Sequence, residues 1–183
     1  GDERYGESTS VEDLDGDGYN DLIVGSPGAD TFSTDGGLIQ VFPGPIDDTV
    51  PDPIAEIHTV ADANLGDTLS FCGDVDWDGN ADLLVGMPGV NGGDGGAVLL
   101  YGPFEGAMDV DDVPNFQVLG DTGQGVGPVA CPGDLDGDGC DEVAGGADGA
   151  DLGNNNQGVV HIVFGYGGPG CPAEPRTLLL GSL

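Results

Sequence analysis

Asp13-Leu14-Asp15-Gly16-Asp17-Gly18-Tyr19-Asn20-Asp21 runs straight into Leu22-Ile23-Val24-Gly25-Ser26-Pro27, and this pattern returns twice. The second copy is Asp74-Val75-Asp76-Trp77-Asp78-Gly79-Asn80-Ala81-Asp82, followed by Leu83-Leu84-Val85-Gly86-Met87-Pro88. The third is Asp134-Leu135-Asp136-Gly137-Asp138-Gly139-Cys140-Asp141-Glu142, followed by Val143-Ala144-Gly145-Gly146-Ala147. The leading aspartates lie 61 and then 60 residues apart. A nine-residue acidic loop of this kind is a cation-ligand pattern, and its recurrence at a fixed period marks a repeat architecture.

Calcium is a hard cation that takes six to eight oxygen ligands. Aspartates at positions 1, 3 and 5 of each loop place three carboxylates on the inside of a tight turn: Asp13, Asp15 and Asp17; Asp74, Asp76 and Asp78; Asp134, Asp136 and Asp138. Glycine at position 6 permits the reversal. The main-chain carbonyl at position 7, from Tyr19, Asn80 or Cys140, then points inward, and Asp21, Asp82 or Glu142 at position 9 closes the site. Three calcium sites are therefore expected. Bare loops would hold mutually repelling carboxylates in close company. An EF-hand or dockerin loop also begins D-x-D-x-D-G, but needs an acidic residue at position 12 and a following helix. Position 12 is Val24 in the first copy and Val85 in the second, and strand-forming residues surround both.

Around each loop the same parts occur in the same order. An aromatic or aliphatic residue followed by glycine comes first: Tyr5-Gly6, Leu65-Gly66, Val126-Gly127. After the loop and its apolar strand comes a glycine-rich turn, then a hairpin loop at 30–37, 90–96 or 150–158. A second strand is predicted at 38–42, 97–101 and 159–164, and a weaker one at 54–60, 115–119 and 176–180. Four short strands per roughly 60 residues is the pattern of a propeller blade. Runs such as 22–24 and 98–100 are apolar at consecutive positions, as a strand covered on both faces should be. No long stretch has apolar residues at helical spacing, so little helix is expected.

These elements resemble the FG-GAP repeat family, the blade type of the integrin alpha-subunit propeller and of many bacterial secreted proteins. The resemblance rests on Tyr5-Gly6, the loop from Asp13 to Asp21 and Gly25-Ser26-Pro27, with their counterparts, and covers nearly the whole chain. It implies an all-β fold of three four-stranded blades, at about 1–60, 61–120 and 121–183, with each calcium loop joining the two innermost strands of its blade. The third copy departs from the pattern, with Asp148 for the proline and Glu142 for the ninth aspartate. The family closes seven blades into a ring, whereas three form an incomplete one. The chain is therefore expected to belong to a longer propeller or to an oligomeric assembly. The two outer blade faces are expected to expose apolar surface that seeks further blades, a protein partner or another copy.

The net charge is −32, with 34 acidic residues and only Arg4 and Arg176 as cations. That excludes a phosphate-binding surface, and with it nucleic acid, and disfavours anionic membranes. No run approaches the roughly 20 apolar residues of a membrane span, so no membrane insertion is expected. Cys72, Cys131, Cys140 and Cys171 form no C-x-x-C pair, and His58 and His161 stand alone, which argues against zinc. An even number of cysteines in such a chain fits an oxidising, extracellular setting, secreted or at the cell surface. Three pairings are open. A Cys131–Cys140 bridge would brace the third loop, and Cys72 is the best candidate for a free buried thiol.

Without lysine there is no phosphate-loop lysine and no Schiff base. Ser26 lacks the first glycine of a nucleophile elbow, and the two histidines lie in strand-like segments without a catalytic pattern around them. No catalytic residue is assigned. The sequence thus points to a non-enzymatic, calcium-binding extracellular adhesion or structural module. A subunit of a self-assembling fibre or sheath, and an accessory part of a secreted enzyme, are the alternatives.

Overall fold

The computed structural model describes residues 2–113, 115–120, 124–150, 158–172 and 176–181. Among these the chain is built from strands, with one short helical turn at Val90–Gly93. The first sheet runs β1 (Ser8–Glu12), β2 (Asp21–Ser26), β3 (Leu38–Phe42) and β4 (Ala55–His58) as an antiparallel meander. The second repeats this with β5 (Leu69–Gly73), β6 (Asp82–Gly86), β7 (Gly96–Leu100) and β9 (Asn115–Leu119). The third uses β10 (Val126–Gly133), β11 (Glu142–Ala147), β12 (Val159–Phe164) and β13 (Arg176–Gly181). These sheets are consistent with propeller blades of FG-GAP type, and no closed ring is found among the described residues. Part of the expected hairpin loop at 150–158 lies outside them.

One strand was not expected. β8 (Gly106–Asp109) leaves the second repeat and pairs in parallel with β4, from Ala55↔Gly106 to His58↔Asp109, so the first sheet has five strands. Phe104 and Val110 anchor this excursion by burying their side chains in the core between the first two sheets. Gly106, Ala107 and Asp109 have poor strand propensity, which is why pattern alone passes over the segment.

The consecutive apolar runs make sense once the sheets are stacked. Ile23, Ile39, Val41 and Ile57 of the first sheet meet Leu83, Val85, Val98 and Leu100 of the second. The opposite face of the second sheet, with Leu84, Ala97 and Leu99, meets Val126, Val143, Val159 and Val163 of the third. The central strands are therefore buried on both sides, and alternation disappears.

Both junctions have the same construction. The Gly6 N–H donates to the Gly25 carbonyl (3.0 Å) and the Gly66 N–H to the Gly86 carbonyl (3.2 Å), tying each opening glycine to its own sheet. The opening glycine's own carbonyl then faces the preceding sheet. Ser8 Oγ donates to the Gly66 carbonyl at 2.6 Å, and Thr68 Oγ1 donates to that of Gly127 at 2.6 Å. The approach leaves no room for a side chain, because a Cβ on Gly25 or Gly86 would overlap the carbonyl of Gly66 or Gly127. Single parallel bridges, Gly37↔Leu65 and Gly95↔Val126, complete the seam.

The disulfides differ from the sequence expectation. Cys72 pairs with Cys131 and Cys140 with Cys171, leaving no free cysteine. Cys72 is therefore not a free thiol, and Cys131 does not brace the third loop by pairing with Cys140. The reason is the stacking: Cys72 on β5 and Cys131 on β10 meet across a junction, with Cα atoms 5.1 Å apart.

The end faces are unlike one another. The outer face of the third sheet exposes Val160, Leu178 and Leu180, as expected. On the first sheet's outer side Gln40 Nε2 donates to Glu56 Oε1 at 2.8 Å, and Leu38 and Phe42 are buried. That face also carries Val24 beside Gln40 and the exposed Val11, so it is mixed rather than apolar throughout.

Candidate metal centres

Each acidic loop joins the first two strands of its sheet, and all three loops fold alike. The position 6 glycines Gly18, Gly79 and Gly139 have φ of 92°, 95° and 90°, a region open to glycine at little cost. Their N–H groups donate to the position 1 carboxylates of Asp13, Asp74 and Asp134 at 3.0, 2.9 and 3.0 Å. The position 5 amides bond Asp15, Asp76 and Asp136 at 3.0, 3.2 and 3.2 Å. The position 7 amides of Tyr19, Asn80 and Cys140 bond Asp17, Asp78 and Asp138 at 2.8, 2.8 and 3.0 Å. These bonds turn the carboxylates toward one centre.

Asp13, Asp15 and Asp17 offer oxygens within 4.8 Å of one another, as do Asp74, Asp76 and Asp78. In the third loop the compact set is Asp134, Asp136 and Glu142. Glutamate is one methylene longer than aspartate, so Glu142 extends its carboxylate into the cluster from position 9. Asp21 and Asp82 do not join the tight triads of their loops.

The ninth residues have a second partner that sequence reasoning missed. Asp21 accepts from the Leu14 N–H at 2.9 Å and the Gly44 N–H at 2.9 Å. Asp82 accepts from Val75 at 2.7 Å and Gly102 at 3.1 Å, and Glu142 from Leu135 at 2.6 Å and Gly165 at 3.3 Å. All three carboxylates are buried, so these amides satisfy groups that would otherwise be costly. The available signal was a glycine recurring just after an aromatic-ended strand, in Phe42-Pro43-Gly44, Tyr101-Gly102 and Phe164-Gly165.

The electrostatics fit a cation. Burial holds the Asp82 carboxyl up at about 6, against the lowering pull of its two amide donors. Burial, and next the charge of Asp78, raises Asp76 as well. Asp13 Oδ1 is buried without any hydrogen-bond partner, the condition of an oxygen waiting for a ligand. The donor set is all oxygen, which suits calcium. The third loop differs in one respect: Arg176 Nη2 lies 3.6 Å from Asp136 Oδ2 and already offsets part of its charge.

Segment 165–172 of the third sheet touches two loops. It is tied to the third by the Cys140–Cys171 bridge. Toward the second, Trp77 packs directly on Gly168, and the Tyr166 and Tyr101 hydroxyls are hydrogen-bonded at 2.6 Å. Burial, and next the Tyr166 bond, raises the Tyr101 phenol well above its ordinary range. Trp77 is half exposed, and its other half is a contact between sheets. His58 lies stacked on Phe32 with ring centroids 3.9 Å apart, and its Nδ1 is 3.7 Å from Asp109 Oδ2.

Comparison with known proteins agrees with this geometry. The FG-GAP repeat model matches residues 5–42 and 126–163. Integrin alpha-PS5 of Drosophila melanogaster is 33% identical over 158 residues, covering 81% of this chain and 15% of that protein. Integrin alpha-PS3 of the same organism is 35% identical over 108 residues, covering 58% of this chain and 10% of its own length. Integrin alpha-3 of Cricetulus griseus is 31% identical over 86 residues, covering 46% and 8%. The chain thus spans less than a sixth of the length of these relatives. It carries FG-GAP repeats and is related, over that span, to integrin alpha chains.

Proposed function

We propose that this chain is a calcium-stabilised, non-catalytic module of an extracellular adhesion-type protein. The observation that carries the reading is the threefold recurrence of one loop geometry, each copy gathering three carboxylates within 4.8 Å. Asp13, Asp15, Asp17, the Tyr19 carbonyl and Asp21 would hold the first ion. Asp74, Asp76, Asp78, the Asn80 carbonyl and Asp82 would hold the second. Asp134, Asp136, Asp138, the Cys140 carbonyl and Glu142 would hold the third. A bound ion supplies charge neutralisation, and through it ties the first two strands of each sheet together. Arg176 beside Asp136 makes the third site the weakest of the three.

Two disulfides and integrin alpha relatives support an extracellular or cell-surface location. No described helix is long and apolar enough to cross a membrane. The repeats are taken as about 1–60, 61–120 and 121–183, with the second lending β8 to the first sheet. Partners are proteins rather than nucleic acid, which a net charge of −32 repels.

Calorimetric titration and thermal melts test this reading. We expect about three calcium ions per chain, and one fewer in each of Asp15→Asn, Asp76→Asn and Asp136→Asn. Calcium at ~100-fold over Kd adds about 2.7 kcal/mol per occupied site. The melting temperature should therefore rise by on the order of 10–30 °C from chelator to calcium. Identical melts in the two conditions would sink the proposal.

A further inference from the structure

Residues 165–172, which follow β12, form a strap between two of the acidic loops. The strap closes on itself: the Gly167 N–H donates to the Pro172 carbonyl at 2.9 Å, and the Cys171 N–H to the Gly168 carbonyl at 3.0 Å. Those bonds hold Gly167, Gly168 and Cys171 in one compact turn, so a displacement at one end is felt at the other.

One end is fixed to the third loop. Cys140, at position 7, is bonded to Cys171 and is 1% exposed, whereas Tyr19 at position 7 of the first loop is 54% exposed. The Cys140 N–H donates to Asp138, and the Gly165 N–H at the start of the strap donates to Glu142. A side chain on Gly165 would overlap Cys140, so the two stretches of backbone lie against each other. The strap thus holds both the position 7 residue and the position 9 carboxylate of that loop.

The other end rests on the second loop. The Trp77 ring, at position 4, lies against Gly168, where a Cβ would overlap the indole. A Cβ on Gly167 would be 3.9 Å from the main-chain carbonyl oxygen of Asp76, at position 3. Tyr166 reaches Tyr101 through their hydroxyls, and the next residue, Gly102, donates its N–H to Asp82 at position 9. The strap therefore touches positions 3 and 4 directly and position 9 through one intermediate.

The first loop lacks this link. At the first junction the counterparts of Asp76, Cys140 and Gly168 are Asp15, Asn80 and Glu105. These three line a cavity of about 440 Å³, so open space stands where the second junction has a packed ring and a covalent bond. Gly16 stands in place of Trp77, and the Asn80 side chain donates to Asp78 within its own loop.

We propose that the second and third loops are coupled through the strap and its Cys140–Cys171 bridge: occupancy of either by a cation raises the affinity of the other, while the first loop acts alone. The coupling rests on calcium binding as proposed above. Its physical reason is ordering cost. Occupancy of the third loop fixes the Cys140 main chain, and with it Cys171 and the strap. Trp77 and the Asp76 backbone are then already held when the second loop is filled, so that step costs less entropy. Linkage makes the effect reciprocal. Screened repulsion between two bound cations works the other way, so charge alone gives the opposite sign.

Terbium titration tests the coupling. Terbium is a hard cation close to calcium in size that accepts the same oxygen ligands, and energy from a nearby indole excites its luminescence. Trp77 is the sole tryptophan, so this signal reads the second loop alone. Asp136→Asn, in the third loop, should weaken terbium binding at the second by about tenfold. Asp15→Asn, in the first loop, should leave it unchanged. In Cys140→Ala/Cys171→Ala, which keeps the Cys72–Cys131 bridge, adding Asp136→Asn should no longer alter binding at the second loop. In chelator the same bridge variant should shift Trp77 emission to the red, a readout that needs no ion. Gly168→Ala keeps the bridge but lifts the strap from Trp77, and should uncouple the loops in the same way, so it serves if thermal melts show the bridge variant unfolded. Equal terbium affinity in the parent and Asp136→Asn, an equal loss in Asp15→Asn, or a loss that survives both uncoupling variants would overturn the coupling and leave the calcium reading standing. No cation bound at any loop, by terbium and by calcium calorimetry, would overturn both.

Discussion

Asp82 and Trp77 show how one loop position can be decided by what lies beyond the loop. Asp82 is buried and titrates near 6 in the folded chain, above the ordinary 3.8 of an unfolded aspartate. Between those values the folded state holds a proton that the unfolded state has released. Stability from this group is therefore fully present below pH 3.8 and is lost as pH rises through 6. The loss is on the order of 2–3 kcal/mol. Chemical denaturation in chelator, at steps from pH 4 to 7, should show this slope in the parent and lose it in Asp82→Asn. Parallel slopes would mean that Asp82 titrates normally. Trp77 has φ of 64°, where the first and third loops place Gly16 and Gly137 at 75° and 81°. A bulky residue there costs roughly 1–2 kcal/mol of backbone strain, which its contact with Gly168 offsets. It is the sole tryptophan, so its emission reads that contact directly. Gly168→Ala should drive the ring outward and shift emission to the red while the fold persists. An unshifted spectrum would show that the ring does not pack there.

Strands and loops were legible to different depths, and the junctions explain why. The third-strand runs at 38–42 and 159–164 match β3 and β12, because consecutive apolar residues between glycine-rich turns have few other uses. The acidic loops were legible because the spacing of their aspartates is local. β8 was not, because its pairing with β4 is decided by Phe104 and Val110 finding the neighbouring core. The cysteine pairs were equally hidden: Cys72 and Cys131 are 59 residues apart and meet only after two sheets stack. The glycine partners of Asp21, Asp82 and Glu142 likewise come from the far end of the third strand. The recurring glycine at 25, 86 and 146 was visible as a pattern, but its reason is the close approach of the next repeat. This yields a contrast within one repeated position. Gly86→Ala should lose about 1–3 kcal/mol or more, because the Gly127 carbonyl must shift and loosen the Thr68 bond. Gly146→Ala at low protein concentration should stay within ~0.5 kcal/mol of the parent. Denaturant midpoints measure both, and equal losses would show that the junction glycines are not packing positions.

At the scale of the whole molecule, charge and stacking oppose each other. Two apolar seams draw three sheets together, while 34 carboxylates and two guanidiniums leave a net −32 on the folded chain. Both guanidiniums are engaged: Arg4 lies 3.1 Å from Asp67, and Arg176 faces Asp136 across 3.6 Å while sitting over Phe164. Little positive charge is left to offset the rest. Compaction brings like charges closer than they are in an expanded unfolded chain, so repulsion penalises the native state more. Screening length falls from about 10 Å at 0.1 M salt to about 3 Å at 1 M. The chelated chain should therefore melt at a higher temperature as sodium chloride is raised over this range, by several degrees for each ~2 kcal/mol of repulsion relieved. Bound calcium would act on the same term locally, since each ion would offset two charges where carboxylates crowd most closely. The salt dependence should accordingly be shallower with calcium than in chelator, and a neutral osmolyte at equal concentration should not reproduce the difference. Melting temperatures in chelator that fall or stay level with salt would mean that the excess charge is already dispersed widely enough to cost nothing. The acidic loops, rather than the surface as a whole, would then be the only place where charge bears on folding.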